Sequence, residues 1–283
     1  MTNMSPGDRS DFLSTGIKAA RLAGKLILDN LGKISKDDVS TKQASDFVTR
    51  VDKESEQLII DTIKKVFPHH LFLAEESAKD IKTEGYYWYE PSDSYRWIID
   101  PLDGTTNYIH GYPVFSVSIA LVYSGEIISG VIFDPPRNDL FTAEKGKGAF
   151  LNNRQIKVSA VNDLKHGLIT TGFPFRQKNM IDPYLHLFKN IFYRVSDIRR
   201  AGSAALDLAY LAAGRCDGFF EIGLSPWDIA AGSILIKEAG GIITDFGGGA
   251  DYLLSGNIVA GPPALHTEIL KEVKGIFKGT IDR

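Results

Sequence analysis

Hydrophobic and polar residues follow two different patterns along this 283-residue chain. In the first half, apolar positions at helical spacing predict a helix that begins at Ser10 or Asp11 and a second helix just after Thr49. Short apolar runs follow, and residues 115–123 and 126–133 are predicted to form a hairpin. We therefore predict two helices on a largely antiparallel sheet.

After about Ser159, predicted strands and helices alternate along the chain. Strands are predicted at residues 167–171, 194–198, 218–222, 242–244 and 257–260, and helices at 183–192, 204–213, 227–239 and 263–277. The change of pattern indicates two lobes: an N-terminal α+β lobe of residues 1–160 and a C-terminal α/β lobe of residues 161–283. The expected fold class is α/β, with α+β character in the N-terminal lobe.

Composition narrows the cellular context. The chain is 43% hydrophobic and 24% charged, with a net charge of −3. It lacks the excess of basic residues that is typical of nucleic-acid-binding proteins. Cys216 is the one cysteine, which excludes an intrachain disulfide and favours a reducing compartment. The polar N-terminal residues lack the apolar centre of a signal peptide, and no run approaches the roughly 20 apolar residues of a membrane span. We expect a cytoplasmic protein.

The segment of residues 97–110, WIIDPLDGTTNYIH, carries the most informative chemistry. It sets Asp100 and Asp103 three residues apart directly after a predicted strand. Carboxylates gathered there suit Mg²⁺, which prefers oxygen ligands. The Gly104–Thr105 step offers backbone N–H groups of the kind that bind anions at helix starts. The same residue types are also common in ordinary turns, so the rest of the chain has to decide.

Three further segments place acids at strand ends or helix starts: LFLAEES (residues 71–77), SPWDIAAGSILIKEAGG (225–241) and DFVTRVD (46–52). Glu75 and Glu76 end the first, and alternation along a strand would turn only one of them into a site. Asp228 lies in the first turn of its predicted helix and Asp52 at the start of another. Helix capping alone would explain both of these acids.

Together with DPLDGTTNY, these segments resemble the inositol monophosphatase family of Mg²⁺-dependent, lithium-sensitive phosphatases, in order from Asp46 to Gly241. The resemblance implies a layered α/β/α/β/α sandwich with the site between two lobes. It also implies two or three Mg²⁺ ions, whose expected ligands are Glu75, Asp100, the main-chain carbonyl of Leu102, Asp103 and Asp228. Ala74 and Tyr108 depart from the family pattern, where Gly and Phe are usual.

The resemblance further implies a mechanism, direct in-line attack on phosphorus by a metal-activated water. Gly104 and Thr105 would donate backbone N–H groups to the phosphate. Glu75 and Thr105 would position and deprotonate the water, with Asp52 behind the Thr105 hydroxyl as proton acceptor. The expected substrate contacts are Asp103, Gly202, Ser203, Ala204, Glu221 and Asp228. Without the resemblance, Gly202–Ser203 would be interpreted as a helix cap and Glu221 as a strand-end acid.

The expected function is hydrolysis of a small phosphorylated polyol or sugar, with inositol monophosphate the first choice. Fructose 1,6-bisphosphate, 3′-phosphoadenosine 5′-phosphate and histidinol phosphate are alternative substrates of the same chemistry. A non-catalytic regulatory binding protein on this fold is the alternative of another class. The resemblance also implies a homodimer. From the composition we expect neither a membrane nor a nucleic-acid partner. The aromatic segment of residues 79–95 is interpreted as a surface loop, or as a flap over the site or part of a subunit interface.

Overall fold

The computed structural model of the protein describes residues 6–34, 39–43, 46–78 and 93–277. These residues form five alternating helical and sheet layers, which confirms the α/β sandwich expected from the resemblance. The expected loop at residues 79–95 lies almost entirely outside the described residues.

The first helical layer contains α1 (Pro6–Asn30) and α2 (Arg50–Lys64). Between them lies a short antiparallel pair that the sequence pattern did not predict, β1 (Val39–Gln43) and β2 (Asp46–Thr49). The prediction that α1 begins at Ser10 or Asp11 is wrong. The helix begins at Pro6, because a proline fits the first helical position, where its missing N–H would have no acceptor.

The second layer is a seven-stranded sheet in which the strands lie side by side in chain order. Its members are β3 (Leu71–Ala74), β4 (Arg96–Asp103), β5 (Ser116–Tyr123), β6 (Glu126–Asp134), β7 (Asp139–Glu144), β8 (Gly148–Leu151) and β9 (Arg154–Ile156). Only β3 and β4 run parallel, so the expected antiparallel character and the β5–β6 hairpin are confirmed. A short helix, α3 (Thr105–Ile109), follows β4.

The second half of the chain forms a five-stranded sheet with helices on both faces. Its strands are β10 (Leu168–Thr171), β11 (Asp197–Arg199), β12 (Gly218–Glu221), β13 (Ile242–Thr244) and β14 (Ile258–Gly261), in the order β11-β10-β12-β14-β13. Its helices are α4 (Ile181–Phe192), α5 (Ala204–Ala212), α6 (Pro226–Glu238), α7 (Tyr252–Ser255) and α8 (Pro263–Phe277). The alternation predicted from the sequence is confirmed, although the strand expected at residues 194–198 lies at 197–199.

The central helical layer, α5 and α6, is buried between the two sheets. Gly232 allows the two helices to approach closely, because a Cβ atom there would lie 2.5 Å from the Cβ of Leu208. Gly130 of β6 does the same for the helix–sheet contact, with Ile234 2.6 Å from its hypothetical Cβ. Both sheets therefore share one apolar core, and the site lies at the edge of that core. Among the helices of the described residues, none combines the length and apolar character needed to cross a membrane.

Candidate active site

Asp100 and Asp103 reach the same face of β4 through an irregularity in its pairing. Asp100 lies opposite Ser118 of β5 and Asp103 opposite Ser116, so two residues of β4 face a single residue of β5. Residues three apart in a regular strand point to opposite faces, and one extra residue returns them to a common face. Pro101 fits such a bulge because it has no N–H to donate to the neighbouring strand.

A cavity of about 300 Å³ opens at this edge of the sheet. It is lined by all of the predicted site residues except Asp52, namely Glu75, Asp100, Leu102, Asp103, Gly104, Thr105, Gly202, Ser203, Ala204, Glu221 and Asp228. Two parts of its wall are distinguished below. The carboxylate cluster consists of Glu75, Asp100, Asp103 and Asp228. The side wall, from the second half of the chain, consists of Gly172, Gly202, Asp207 and Glu221.

Glu75 joins the cluster from β3, the parallel neighbour of β4. Its N–H donates to the carbonyl of Ile99 at 3.1 Å, which continues the pairing of the two strands and sets Glu75 beside Asp100. The carboxyl groups of Glu75 and Asp100 share a hydrogen bond. Of the two adjacent acids, Glu75 lines the cavity, whereas the N–H of Glu76 donates to Glu56 at 2.7 Å.

Asp103 is held by the start of α5. The hydroxyl of Ser203, the N-cap residue of that helix, donates to Oδ2 of Asp103 at 2.5 Å. The N–H of Ala205 donates to the same oxygen at 2.8 Å. Ser203 is therefore the helix cap that its sequence context suggested, and it also fixes the orientation of Asp103.

Asp228 is held in a similar way at the start of α6. Its Oδ2 accepts from the N–H of Ser225 at 2.7 Å, an arrangement typical of an acid in the first helical turn. The same oxygen accepts from Nη1 of Arg176 at 3.1 Å. Asp228 is thus both a capping residue and part of the cavity wall.

The cluster has the charge and the donor atoms of a cation site. Carboxylate oxygens of Asp100, Asp103 and Asp228 lie within 4.8 Å of one another. Burial and the neighbouring carboxylates raise the pKa of Asp100 well above its usual range and that of Asp103 to about 7. Like charges at such distances repel, and a bound cation offsets the repulsion. A donor set of carboxylate oxygens suits a hard cation such as Mg²⁺, and Leu102, whose carbonyl was a predicted ligand, lines the same cavity.

Asp52 lies behind the cavity wall and contacts it through Thr105. The Thr105 hydroxyl is 2.9 Å from Oδ1 of Asp52 and 3.0 Å from the carbonyl of Leu102, and its single hydrogen serves one acceptor at a time. Oδ2 of Asp52 accepts from the N–H and the hydroxyl of Thr49. Burial, with a contribution from Glu75, raises the pKa of Asp52 to about 6. Asp52 can therefore bind or release a proton near neutral pH.

The turn between β4 and α3 lines the cavity with Gly104 and Thr105. Gly104 has a φ of +92°, and a Cβ atom there would lie 2.9 Å from the carbonyl of Val114. Thr105 opens the helix, where first-turn N–H groups have no acceptor within the helix. The side chain of Asn107 donates to Val114 at 2.8 Å and to Ala201 at 2.9 Å, which fixes this turn against the loop before α5.

Glu221 ends β12 in the side wall. Its carboxyl group rests directly on Gly172, since a Cβ atom at that position would lie 1.9 Å from Oε1. Burial raises the pKa of Glu221 to about 8, against the lowering effect of Arg200. Glu221 lines the same cavity as the cluster, and its contact with a substrate stays a prediction.

Three charged residues of the cavity wall were missed in the sequence: Asp207, Arg176 and Arg200. Burial and the carboxylates of Glu221 and Asp103 raise the pKa of Asp207 well above its usual range. An acid inside the apolar stretch that forms α5 was a signal that could have found it. The two arginines lie in connecting segments without a motif, and each guanidinium group packs on a phenylalanine ring.

Comparison with known proteins shows the family of this chain. The sequence model of the inositol monophosphatase family matches residues 8–277. The chain is 46% identical to Nus factor SuhB of Escherichia coli (strain K12) over 272 residues, 96% of this chain and 99% of that protein. A crystal structure of extragenic suppressor protein suhB from Bartonella henselae has a TM-score of 0.86 at 42% identity and covers 93% of this chain and 98% of its own. The structure of inositol monophosphatase from Anabaena has a TM-score of 0.81 at 37% identity and covers 95% and 97%. This chain belongs to the inositol monophosphatase family.

Proposed function

We propose that this protein hydrolyses a small phosphate monoester in a Mg²⁺-dependent reaction, and that inositol monophosphate is its substrate. The observation that carries the proposal is the buried group Asp100, Asp103 and Asp228, whose carboxylate oxygens lie within 4.8 Å of one another. The first turn of α3, which can bind an anion, lines the same cavity. A cation site beside an anion site is what a metal-dependent phosphatase requires.

The residues that would hold two or three Mg²⁺ ions are Glu75, Asp100, Asp103, Asp228 and the carbonyl oxygen of Leu102. Bound there, Mg²⁺ would supply the positive charge that makes water a stronger nucleophile and stabilises the leaving alkoxide. The fixed orientations of Asp103 and Asp228 mean that these carboxylates need no rearrangement to receive a cation.

The protein's own groups then orient the phosphate and move a proton. The N–H groups of Gly104 and Thr105 bind the phosphate oxygens. Glu75 and the Thr105 hydroxyl position the attacking water in line with the scissile P–O bond. As the water loses its proton to the Thr105 hydroxyl, that hydroxyl passes its own proton to Asp52, 2.9 Å away. The pKa of about 6 allows Asp52 to accept it near neutral pH.

The side wall supports a polyol as the alcohol part of the ester. Gly202, Ser203, Ala204 and Glu221 line the cavity beside the cluster, and Asp103 and Asp228 lie within reach of ring hydroxyls. The volume of about 300 Å³ suits a small substrate. The Anabaena relative bears the name inositol monophosphatase, which supports inositol monophosphate over fructose 1,6-bisphosphate, 3′-phosphoadenosine 5′-phosphate and histidinol phosphate.

The proposal is tested by measuring phosphate release from these four esters and from cyclohexyl phosphate, an analogue of inositol 1-phosphate whose ring carries no hydroxyls. Each ester is measured with Mg²⁺ and with a chelator. We expect Mg²⁺-dependent turnover, with the highest kcat/KM for inositol 1-phosphate. A clear preference for another ester would replace the substrate but keep the reaction. No turnover of any ester by folded protein would contradict the reaction itself.

A second candidate function is a regulatory binding role that does not depend on catalysis. The name of the Escherichia coli relative, Nus factor SuhB, favours it. The complete carboxylate cluster supports the catalytic function, because a purely regulatory protein gains nothing from burying carboxylates at mutually repelling distances. Folded protein that binds Mg²⁺ but hydrolyses none of the panel would favour the regulatory role.

We also propose that the protein is a homodimer. Helix α4 and the residue after it expose large apolar side chains, with Leu185, Phe192 and Tyr193 respectively 46%, 55% and 75% exposed. Apolar side chains grouped in this way are typical of a protein interface. Light scattering after gel filtration should give twice the chain mass of 31.2 kDa, and a single-chain mass would contradict the dimer.

A further inference from the structure

Asp207 has a position in the cavity wall that the proposed mechanism does not use. It lies in the first turn of α5, between the helix cap Ser203 and the buried core. Its side chain is only 2% exposed, and it nevertheless lines the cavity. Among the described residues, none donates a hydrogen bond to its carboxylate, whose interactions are limited to burial and the charges of Glu221, Asp103 and Arg200.

The carboxylate of Asp207 opens onto the cavity, and removing the remaining water from it is costly unless a hydrogen-bond donor takes the place of that water. The donor for Asp207 has to come from inside the cavity, because the carboxylate faces no other donor in the described structure. A molecule that binds there and displaces water can supply this donor.

The neighbouring charges select the kind of donor. Arg200 acts on the charges of both Asp207 and Glu221 and offsets part of their negative charge. The two carboxyl groups therefore do not require a cationic partner, and a neutral hydroxyl group can serve as the donor. Glu221, from the adjacent strand β12, presents a second carboxyl group without a protein donor, so two neighbouring hydroxyls could be recognised together.

We propose that Asp207 is a specificity-determining residue, which accepts a hydrogen bond from a hydroxyl group of the substrate's alcohol next to the hydroxyl bound by Glu221. This inference rests on the proposed phosphatase function and defines its substrate class as phosphate esters of vicinal polyols. Asp207 contributes to recognition of the alcohol and leaves the chemistry at phosphorus unchanged.

The test compares two esters with the same ring, myo-inositol 1-phosphate and cyclohexyl phosphate, which lacks the hydroxyls. The variants are Asp207→Leu, Asp207→Asn and the control Asp182→Asn, which removes an exposed first-turn acid from α4. Asp207→Leu should lower kcat/KM for inositol 1-phosphate by about 10- to 100-fold, chiefly through KM, and change it less than about 3-fold for cyclohexyl phosphate. Asp207→Asn, whose amide oxygen still accepts a hydrogen bond, should retain part of the preference. Asp182→Asn should match the wild type.

Thermal unfolding provides an independent measurement. Because the unpartnered carboxyl group is costly, Asp207→Leu should unfold at the same temperature as the wild type or higher.

Equal losses of kcat/KM on both esters would show a structural role and overturn the proposal, as would an unchanged preference for inositol 1-phosphate in both Asp207 variants. Wild-type preference for trans-2-aminocyclohexyl phosphate, lost in Asp207→Leu, would replace the hydroxyl by an ammonium group. Wild-type protein that hydrolyses none of these esters would overturn the proposed function, whereas Mg²⁺-dependent turnover without a change in Asp207→Leu would overturn this inference alone.

Discussion

The carboxylate cluster and the side wall both place acids in one cavity, but they differ in whether protein groups donate hydrogen bonds to those acids. In the cluster, protein N–H and O–H groups hold the oxygens of Asp100, Asp103 and Asp228. In the side wall, no donor of the described residues reaches Asp207 or Glu221. A carboxylate whose orientation is already fixed can bind a cation without rearrangement. A carboxylate that lacks a hydrogen-bond donor gains stability when a bound molecule supplies that donor. Under the proposed function, the cluster serves the reaction at phosphorus and the side wall binds the alcohol.

Removing one member of the cluster should have the largest effect. Asp100→Asn should lower kcat about 10³-fold or more for every ester, because several kcal/mol of transition-state stabilisation depend on the metal and each 1.36 kcal/mol is a factor of ten. The same variant should be more stable than wild type in chelator, since one repelling carboxylate is gone. Steady-state kinetics and thermal unfolding measure the two effects, with Asp182→Asn as the control. Activity within tenfold of wild type would remove Asp100 from the metal site.

The proton path should be separable from the cluster. Thr105→Val removes the hydroxyl that links the cavity to Asp52 and should lower kcat by about 100-fold or more, while Thr105→Ser should retain most of the activity. Mg²⁺ affinity, measured by calorimetry, should be little changed in both. A Thr105→Val enzyme as fast as Thr105→Ser would show that the hydroxyl carries no proton.

Displacing Glu221 should weaken recognition of the alcohol part of the ester and leave binding of the phosphate unchanged. Gly172→Ala introduces a Cβ atom 1.9 Å from the present position of Oε1, so the carboxyl group has to move. We expect kcat/KM for inositol 1-phosphate to fall about tenfold, with little change for cyclohexyl phosphate. The matched control is Gly275→Ala in α8, where no atom lies within 4 Å of the added Cβ. Equal losses on the two esters would show that Gly172 serves the cluster as well.

Stability should show the smallest effect and should distinguish the two regions by pH. The pKa of Asp103 is about 7 and that of Glu221 about 8, both above the values near 4 expected in the unfolded chain. The folded state therefore binds more protons than the unfolded state, and the free energy of unfolding falls as pH rises through these pKa values. His70, whose pKa burial lowers to about 4, gives the opposite slope only below about pH 6.5.

Calorimetry of the protein in chelator should therefore show Tm falling between about pH 6.5 and 8.5. Saturating Mg²⁺ should remove the contribution of the cluster, and Glu221→Gln should remove that of Glu221 while leaving that of Asp207. Ligand binding at 100 times Kd adds about 2.7 kcal/mol, so Mg²⁺ should also raise Tm by several degrees. A flat or rising Tm in chelator would contradict the raised pKa values.

The same contrast explains how far the sequence could predict the site. Each acid of the cluster follows a strand or opens a helix in a recognisable segment, and Glu75, Asp100 and Asp228 were predicted as ligands from the resemblance of these segments taken together, because each segment alone also allows an ordinary turn or cap. The five-layer sandwich was predicted through the same segments and is confirmed. The bulge that turns Asp100 and Asp103 to one face depends on pairing with β5 and has no local signature.

The side wall depends on contacts between distant parts of the chain. Glu221 packs on Gly172, which lies just after β10, and in the cluster Arg176 donates to Asp228, which lies 52 positions further along the chain. Neither contact leaves a periodic pattern, because each involves single residues in connecting segments. In the sequence, Asp207 stands out only as an acid within an apolar helix, and the structure adds that it lines the cavity. The start of α1 was misplaced because capping residues and an N-terminal proline give competing signals.

Anomalous diffraction from crystals soaked in Mn²⁺, which prefers the same oxygen ligands as Mg²⁺, tests most directly that the cluster is a cation site. We predict peaks within about 2.5 Å of carboxylate oxygens of Glu75, Asp100, Asp103 and Asp228. The peaks should be absent from crystals of Asp100→Asn soaked in the same way. Wild-type crystals without a peak at the cluster, in a soak that is saturating for activity, would contradict the central claim.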